Sequence, residues 1–323
     1  MYPNASLYED IFQRLSESQR TLLVAHQNPD GDAIGSVLAL SQFLDKTIGE
    51  NHIFCLTIPA PSFSFLPTIE RIKTNPLILK KIEFDTIVVL DSGDLEYSGI
   101  KPHLQELKYS PQILNIDHHP TNDYFGHINL VETDAASTTD ILFRIFNHNR
   151  FRISKDIATC LLTGIITDTG SFSNLATTPQ AISNASELLI NGARAKDIIN
   201  NALTKQSIGV LKLWGRAFSR LIKNNHTNIA ITVVTQKDFK ECKVENESAE
   251  GIANFLNNLN GAKAVLVLKE QSDGTIKGSL RTTRDNIDVS KLARVLGGGG
   301  HKKAAGFTIK GKIEETKSGW KIV

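Results

Sequence analysis

Two short segments of this 323-residue chain are almost continuously apolar, and they constrain its fold more than any other feature. They are Thr21–His26 (TLLVAH) and Phe84–Asp91 (FDTIVVLD). Strands that are apolar on both sides are typical of parallel sheets whose two faces are covered by helices. Two further runs, Ile53–Ile58 and Ile113–Asp117, are also predicted to be strands. We therefore expect an α/β fold with a parallel sheet and helices on both faces.

Helix-like stretches alternate with these strands. Ser154 is a suitable N-cap for one of them, and the Asn191-Gly192 pair is a common helix stop after another. The predicted helices of this half cover Ala33–Leu44, Thr138–Asn147, Ser154–Ile166 and Pro179–Ile190.

The second half of the chain is organised differently. The segment from Ala193 to Lys223 is helical and polar in pattern, without a predicted strand. We interpret it as a connection to a smaller, mixed α/β domain, and expect a cleft between the two domains. The expected parts are residues 1–190, a helical connector of residues 191–223, and residues 224–323. The last part has predicted strands at Asn228–Val234, Ala264–Leu268, Thr275–Arg281 and Gly306–Ile309, and predicted helices at Ser248–Leu259 and Val289–Leu296.

Composition excludes several classes of protein. Hydrophobic residues make up 41% of the chain and charged residues 22%, which is close to globular averages and excludes wholesale disorder. No apolar run approaches the roughly 18–20 residues that cross a bilayer, and the N-terminus lacks the apolar core of a secretory signal. Three widely spaced cysteines argue against a disulfide framework. We expect a cytoplasmic protein without membrane association.

The formal net charge of +2 conceals two oppositely charged halves. Residues 1–190 hold 13 basic and 22 acidic side chains, a net charge of −9, whereas residues 191–323 carry a net charge of +11. This asymmetry indicates that the two halves have different electrostatic roles.

Four clusters of Asp and His residues lie at or just beyond the ends of predicted strands in the first half. In an open α/β sheet, this edge is where ligands bind. Any one cluster could be a turn or a helix cap, but burying so many carboxylates together without cations is costly. The clusters are His26 with Asp30 and Asp32, then Asp91, then Asp117 with His118 and His119, and finally Asp168.

The residue types in these clusters indicate a site for divalent cations. Carboxylates and neutral imidazoles suit hard to borderline ions, and the absence of clustered cysteines argues against a structural zinc or iron–sulfur site. The clusters offer enough ligands for two ions. A pair of ions bridged by one carboxylate is a common device for hydrolysing phosphate esters.

The same clusters form motifs that resemble a known family. Four motifs follow one another in the first half: HQNPDGDAIGS, LDSGD, NIDHHPTN and TDTGSF. In this order they resemble the motifs of the DHH phosphoesterase superfamily, which is named after Asp117-His118-His119. The later segment SLRTTRDNIDVSKLARVLGGGGHKKAAGF resembles the DHH-associated domain. Size and spacing are most similar to the nanoRNase/pAp phosphatase (NrnA-like) group.

This resemblance assigns roles to the clustered residues. It implies two divalent metal ions, normally manganese, with magnesium as the alternative. Asp117 would orient imidazoles, and His119 would face the substrate phosphate or the leaving group. The implied ligands are His26, Asp30 and Asp91 for one ion, and Asp32, Asp91, His118 and Asp168 for the other, with Asp91 as the bridge.

The glycine run Gly297–Gly300 is a candidate phosphate site. Glycines let the backbone approach an anion closely, and we expect a helix N-terminus after the run to present free N–H groups. Taken alone, the run would more often be a flexible surface loop, but the resemblance favours phosphate binding. The implied phosphate ligands are Arg281, Gly298, Gly299, Gly300 and His301.

The resemblance implies an enzyme that hydrolyses very short RNA or DNA oligonucleotides, such as pApA, to nucleoside monophosphates. It would also dephosphorylate adenosine 3′,5′-bisphosphate (pAp). Other readings stay open: a cyclic di-AMP phosphodiesterase, a RecJ-like exonuclease, or a nucleotide- or RNA-binding module without catalysis. A homodimer also stays open. The chain departs from many relatives at Tyr97, where they carry Arg after Glu, and at Thr282, where they often carry Ser.

Overall fold

The chain divides into two units. The computed structural model describes residues 4–203, 207–244, 249, 251–257, 259–316 and 319–323. Contacts between Cα atoms assign Met1–Lys205 to the first unit and Gln206–Val323 to the second. No helix in the described residues is both long enough and apolar enough to span a bilayer.

The first unit contains a six-stranded sheet in which every neighbouring pair is parallel. The strands are β1 (Arg20–Ala25), β2 (Glu50–Cys55), β3 (Ile72–Lys73), β4 (Thr86–Leu90), β5 (Gln112–Asp117) and β6 (Ile128–Val131). Their order in the sheet is β3-β2-β1-β4-β5-β6, so the direction of winding reverses between β1 and β4. All four predicted strands are present, although β2 begins and ends three residues before the predicted Ile53–Ile58, and the two short edge strands, β3 and β6, were not predicted.

Helices cover both faces of this sheet, as predicted. Alternation along β1 shows the arrangement: Leu23 and Ala25 pack into the core formed with the long helices, whereas Leu22 and Val24 pack with the short helices on the opposite face. All four predicted helices are confirmed, and the Ser154 hydroxyl accepts a hydrogen bond from the Ile157 N–H, as expected of an N-cap. The helices are α1 (Ala5–Glu17), α2 (Gly31–Leu44), α3 (Ile78–Lys81), α4 (Lys101–Leu104), α5 (Thr138–His148), α6 (Lys155–Asp168), α7 (Pro179–Ile190) and α8 (Ala195–Ile198), the last continued by a π-helical turn (Ile199–Leu203).

The second unit contains a mixed sheet with helices on both faces, in line with the predicted mixed α/β fold. The strands are β7 (Ile222–Lys223), β8 (Ile229–Val234), β9 (Ala264–Glu270), β10 (Thr275–Arg281), β11 (Gly299–Gly300), β12 (Ala304–Lys310), β13 (Ile313–Thr316) and β14 (Gly319–Ile322), and the helices are α9 (Ile208–Ser219), α10 (Gln236–Cys242), α11 (Ile252–Leu256) and α12 (Val289–Val295). The strand order in the larger sheet is β11-β12-β10-β9-β8-β7. The β8–β9 pair is parallel and the other pairs of this sheet are antiparallel, while β13 and β14 form a separate antiparallel pair.

Three local predictions for the second half need correction. The segment from Ala193 to Lys223 is not free of strands, because its last two residues pair with β8 as β7. The helix predicted from Ser248 is shorter, since α11 begins at Ile252, and Ser248 lies outside the described residues. Among the described residues that follow Gly297–Gly300 there is no helix: the run follows the end of α12, and Gly299 and Gly300 pair with β12.

Candidate metal centre

The candidate centre lies where the winding of the first sheet reverses. Strands β1 and β4 are parallel neighbours, with Ala25 opposite Leu90. The residues that follow them, His26 and Asp91, therefore come together at the carboxyl edge, which is the usual ligand-binding position of such a sheet. The Nε2 atom of His26 lies 3.6 Å from Oδ2 of Asp91.

Two helices bring further carboxylates to this edge. Asp30 caps α2 and accepts hydrogen bonds from the N–H groups of Asp32 and Ala33, while Asp32 itself is fully buried in the first turn. Asp168 does not follow a strand, as was predicted for its cluster, but is the last residue of α6. A carboxylate at a helix C-terminus is disfavoured by the helix dipole, so its placement here favours a neighbouring cation.

The structure groups these side chains in three sets whose potential ligand atoms all lie within 4.8 Å of one another. Asp91 belongs to two of the sets, and its Oδ1 atom lies 3.6 Å from Nε2 of His118. Nε2 of His118 in turn lies 3.4 Å from Oδ2 of Asp168. The three sets are His26 with Asp30 and Asp91, Asp32 with His118 and Asp168, and Asp91 with His118 and His119.

Asp91 is held in an unusual backbone conformation. Its φ angle is +59°, which falls in the left-handed region that non-glycine residues seldom adopt. The side chain is only 2% exposed, and Oδ1 accepts a hydrogen bond of 3.1 Å from the Thr138 hydroxyl. Because its two oxygen atoms face different histidines, Asp91 is placed as a bridging ligand would be.

Asp32 is held by hydrogen bonds from Thr138 and Thr139, two residues that the sequence did not predict to belong to the site. The N–H groups of Thr138 and Thr139, in the first turn of α5, donate to its two carboxylate oxygens at 2.6 and 2.9 Å. The Thr139 hydroxyl donates to Oδ1 at 2.7 Å. Gly164 of α6 makes room for this arrangement, because a Cβ atom there would overlap both Asp32 and Thr139. The only sequence signal was the predicted start of a helix at Thr138.

Asp117 and His119 form a hydrogen-bonded pair beside this group. Nδ1 of His119 and Oδ1 of Asp117 are 2.8 Å apart. The other oxygen of Asp117 accepts a hydrogen bond of 2.7 Å from Asn122. Asp117 is fully buried, whereas the His119 side chain is 41% exposed. The buried carboxylate therefore orients an imidazole that is open to solvent.

The electrostatics of the centre fit divalent cations. Burial, together with the charge of neighbouring carboxylates, raises the pKa of Asp32 and of Asp168 well above the usual range. Burial alone would raise the pKa of Asp91 as well, but the neighbouring imidazoles of His26, His118 and His119 lower it to about 2. The carboxylates of Asp32 and Asp91 are buried, whereas the Asp30 side chain is 58% exposed. Burying carboxylates together without cations is costly, and oxygen and imidazole ligands are those that divalent cations such as manganese accept.

The second unit carries a separate pocket of about 450 Å³. Arg281 lines it, and its guanidinium donates to the Asn254 side chain at 2.9 Å and to the Leu280 carbonyl at 3.0 Å. Of the glycine run, Gly299 and Gly300 line the pocket. Gly298 instead packs against the backbone of Gly306 and Phe307, and His301 lies exposed in the turn to β12.

Sequence reasoning missed two cations of this pocket. Lys277 and Lys269 are direct neighbours across β10 and β9 and both line the pocket. Lys277, Ser279 and Arg281 alternate along β10 and so share one face of the sheet, a period that the sequence already displayed. The described residues that line this pocket include three basic side chains and no acidic one.

Both units match known protein families. Residues 20–165 match the DHH family, N-terminal domain, and residues 215–318 match the DHHA1 domain. The bifunctional oligoribonuclease and PAP phosphatase NrnA of Thermus thermophilus is 30% identical over 289 residues, which cover 90% of this chain and 84% of that protein. The protein of the same name from Bacillus subtilis is 26% identical, with 93% and 92% covered.

A solved structure has the same fold over nearly the whole chain. It is an exopolyphosphatase-related protein from Bacteroides fragilis, with a TM-score of 0.85 and 25% sequence identity. The match covers 94% of this chain and 90% of that one.

Proposed function

Because the chain belongs to the DHH family, we propose that it is a metal-dependent phosphoesterase that hydrolyses very short oligonucleotides to nucleoside monophosphates. Adenosine 3′,5′-bisphosphate is the second proposed substrate, which loses its 3′-phosphate. The observation that carries the proposal is the position of Asp91, within reach of His26 on one side and of His118 on the other. The names of the NrnA relatives supply the two substrate classes.

The proposed centre holds two divalent ions. Asp91 contributes to both sites, and the mixed imidazole and carboxylate ligands favour manganese over magnesium, which prefers all-oxygen surroundings. Such ions lower the pKa of water and offset the charge that develops on a phosphate in hydrolysis. The proposed ligands are His26, Asp30 and Asp91 for one ion, and Asp32, Asp91, His118 and Asp168 for the other.

The protein's own groups position these ligands and the substrate. Thr138 and Thr139 hold Asp32 with three hydrogen bonds, so its carboxylate is oriented before any ion binds. Asp117 accepts from Nδ1 of His119, which leaves Nε2 of that exposed ring for the substrate. We assign His119 as the residue that contacts the phosphate or the leaving group.

The pocket of the second unit is the proposed binding site for a substrate phosphate. Arg281 supplies a planar guanidinium suited to phosphate oxygens, and Lys277 and Lys269 add two further cations on the same face. Gly299 and Gly300 complete the proposed phosphate site and leave the backbone open to the ligand, whereas Gly298 and His301, which the resemblance also implied, do not line this pocket.

Hydrolysis of a substrate panel with manganese tests this function. The panel consists of pApA, pAp, cyclic di-AMP and a ladder of RNA lengths, and initial rates are compared under identical conditions. We expect pApA to yield AMP, and pAp to yield AMP and phosphate, faster than the cyclic dinucleotide or the long RNAs are cleaved. Binding of pApA without turnover would instead favour a nucleotide-binding module, and fastest cleavage of long RNA would favour an exonuclease.

A further inference from the structure

We propose that Tyr97 is a positioning residue, which holds His26 in the orientation that a metal ligand needs. This inference rests on the proposed metal centre. The phosphoesterase chemistry assigned above does not use Tyr97.

The ring of Tyr97 stacks on the imidazole of His26. The two ring centroids are 4.8 Å apart, and the ring planes differ by 18°. His26 is 5% exposed, whereas Tyr97 is 43% exposed. Tyr97 therefore covers one face of the imidazole and limits rotation of the ring.

The backbone of Tyr97 reaches the same imidazole through one intermediate residue. The Gln27 N–H donates to the Tyr97 carbonyl at 3.0 Å. The Gln27 carbonyl lies 2.8 Å from Nδ1 of His26. When Nδ1 donates this hydrogen bond, Nε2 is left as the metal-binding nitrogen. Nε2 is the atom that faces Asp91 and Asp30, at 3.6 and 3.9 Å.

The turn that carries Tyr97 also carries the proposed bridging ligand. This turn begins at Asp91, and Asp94 within it accepts a hydrogen bond of 2.6 Å from the Tyr97 N–H. The Ser92 hydroxyl donates to the Asp94 carbonyl at 2.8 Å. One short segment thus carries Asp91 and covers His26, so two of the three proposed ligands of the first ion are positioned together.

Manganese binding to the full-length protein tests this role. Free Mn²⁺ is measured by electron paramagnetic resonance during titration of the wild type, Tyr97→Leu and Tyr97→Phe. We expect Tyr97→Leu to weaken one of two manganese sites by about 10- to 100-fold, the range found when a group that orients a metal ligand is removed. The second site, which includes Asp32, His118 and Asp168, keeps its affinity. Tyr97→Phe is the matched control, because it retains the stacked ring and should bind manganese like the wild type.

Steady-state kinetics give an independent readout, and thermal unfolding shows whether each variant is folded. We expect Tyr97→Leu to lower kcat for pApA while KM stays within about twofold, because the substrate phosphate sites in the second unit are unchanged. Wild-type manganese affinity in Tyr97→Leu would overturn the proposal, as would an equal loss at both sites. If Tyr97→Leu does not fold, Tyr97→Met fills similar space without an aromatic face and must show the same loss. Failure of the wild type itself to bind manganese would instead contradict the proposed function.

Discussion

Gly164 of α6 lies directly against the carboxylate of Asp32. A Cβ atom on Gly164 would overlap both Oδ1 of Asp32 and the hydroxyl of Thr139. Helices α2 and α6 and the N-terminus of α5 therefore meet at this carboxylate, and there is no room for an additional methyl group. A side chain at position 164 would disturb the core and the proposed metal centre together.

Gly164→Ala should destabilise the first unit and weaken manganese binding. Alanine favours a helix over glycine by roughly 0.5–1 kcal/mol, but overpacking at a closed site costs about 1–3 kcal/mol, so the overlap decides the sign. Calorimetric unfolding and manganese titration measure the two effects. Gly215→Ala is the control, because a Cβ atom on that glycine of α9 would contact nothing within 4 Å. An unchanged melting temperature for Gly164→Ala would show that the site has room after all.

Lys277→Ala should weaken substrate binding more than turnover. A hydrogen bond to a charged group contributes about 1.5–3 kcal/mol, so we expect KM for pApA to rise by roughly tenfold or more while kcat changes little. Initial-rate kinetics over a range of salt concentrations measure the effect. The KM of the variant for pApA should depend less on salt concentration than the KM of the wild type. Lys237→Ala is the matched control, since that side chain is 82% exposed on α10 and does not line the pocket. Equal KM values for the two variants would remove Lys277 from the phosphate site.

Asp238→Asn should destabilise the second unit at neutral pH. It should also make the free energy of unfolding of this unit depend less on pH in the acid range. Burial would raise the pKa of Asp238, but hydrogen bonds from Arg220 and Thr235 outweigh it and hold the pKa well below its usual 3.8. Stability from this ionised group is therefore complete above pH 3.8 and is lost as the pH falls towards its lower folded-state pKa. Removing one partner of a buried pair costs about 3 kcal/mol.

Tryptophan fluorescence makes this test specific to the second unit. Both tryptophans of the chain, Trp214 and Trp320, lie there, and the Trp320 ring contacts the guanidinium of Arg220. Urea unfolding followed by fluorescence should give a wild-type stability that falls between pH 5 and pH 2 more steeply than that of Asp238→Asn. Parallel curves for the two proteins would show that Asp238 is not the group responsible.

Much of the fold was predictable because local patterns and tertiary packing agree. The apolar runs of β1 and β4 become central strands, buried on both faces, and Ser154 caps α6 as its position suggested. The two-residue strand β3 has no such pattern, since it exists only by pairing with β2. The glycine run was misread for the same reason: its conformation comes from pairing with β12, a partner that glycines alone do not reveal.

The predictable part of the candidate site consists of the Asp and His residues that lie at strand ends or within the motifs. Asp and His at the carboxyl edge of a parallel sheet converge because the strands do. The hydrogen bonds from Thr138 and Thr139 to Asp32 link residues more than 100 positions apart, so no local pattern predicts them. The stacking of Tyr97 on His26 likewise depends on the register of β1 and β4, in which Ala25 lies opposite Leu90.

Asp91 provides the most direct test of the whole account. Asp91→Asn keeps the shape of the side chain, and asparagine tolerates the left-handed backbone of this position. Manganese-dependent hydrolysis of pApA is measured for this variant and for Asp123→Asn, which changes an exposed carboxylate of the same unit. The account predicts that Asp91→Asn loses about 10²–10³-fold or more in turnover and no longer binds two manganese ions, while Asp123→Asn behaves as wild type. Turnover and manganese stoichiometry close to wild type in Asp91→Asn would contradict a metal centre built around Asp91.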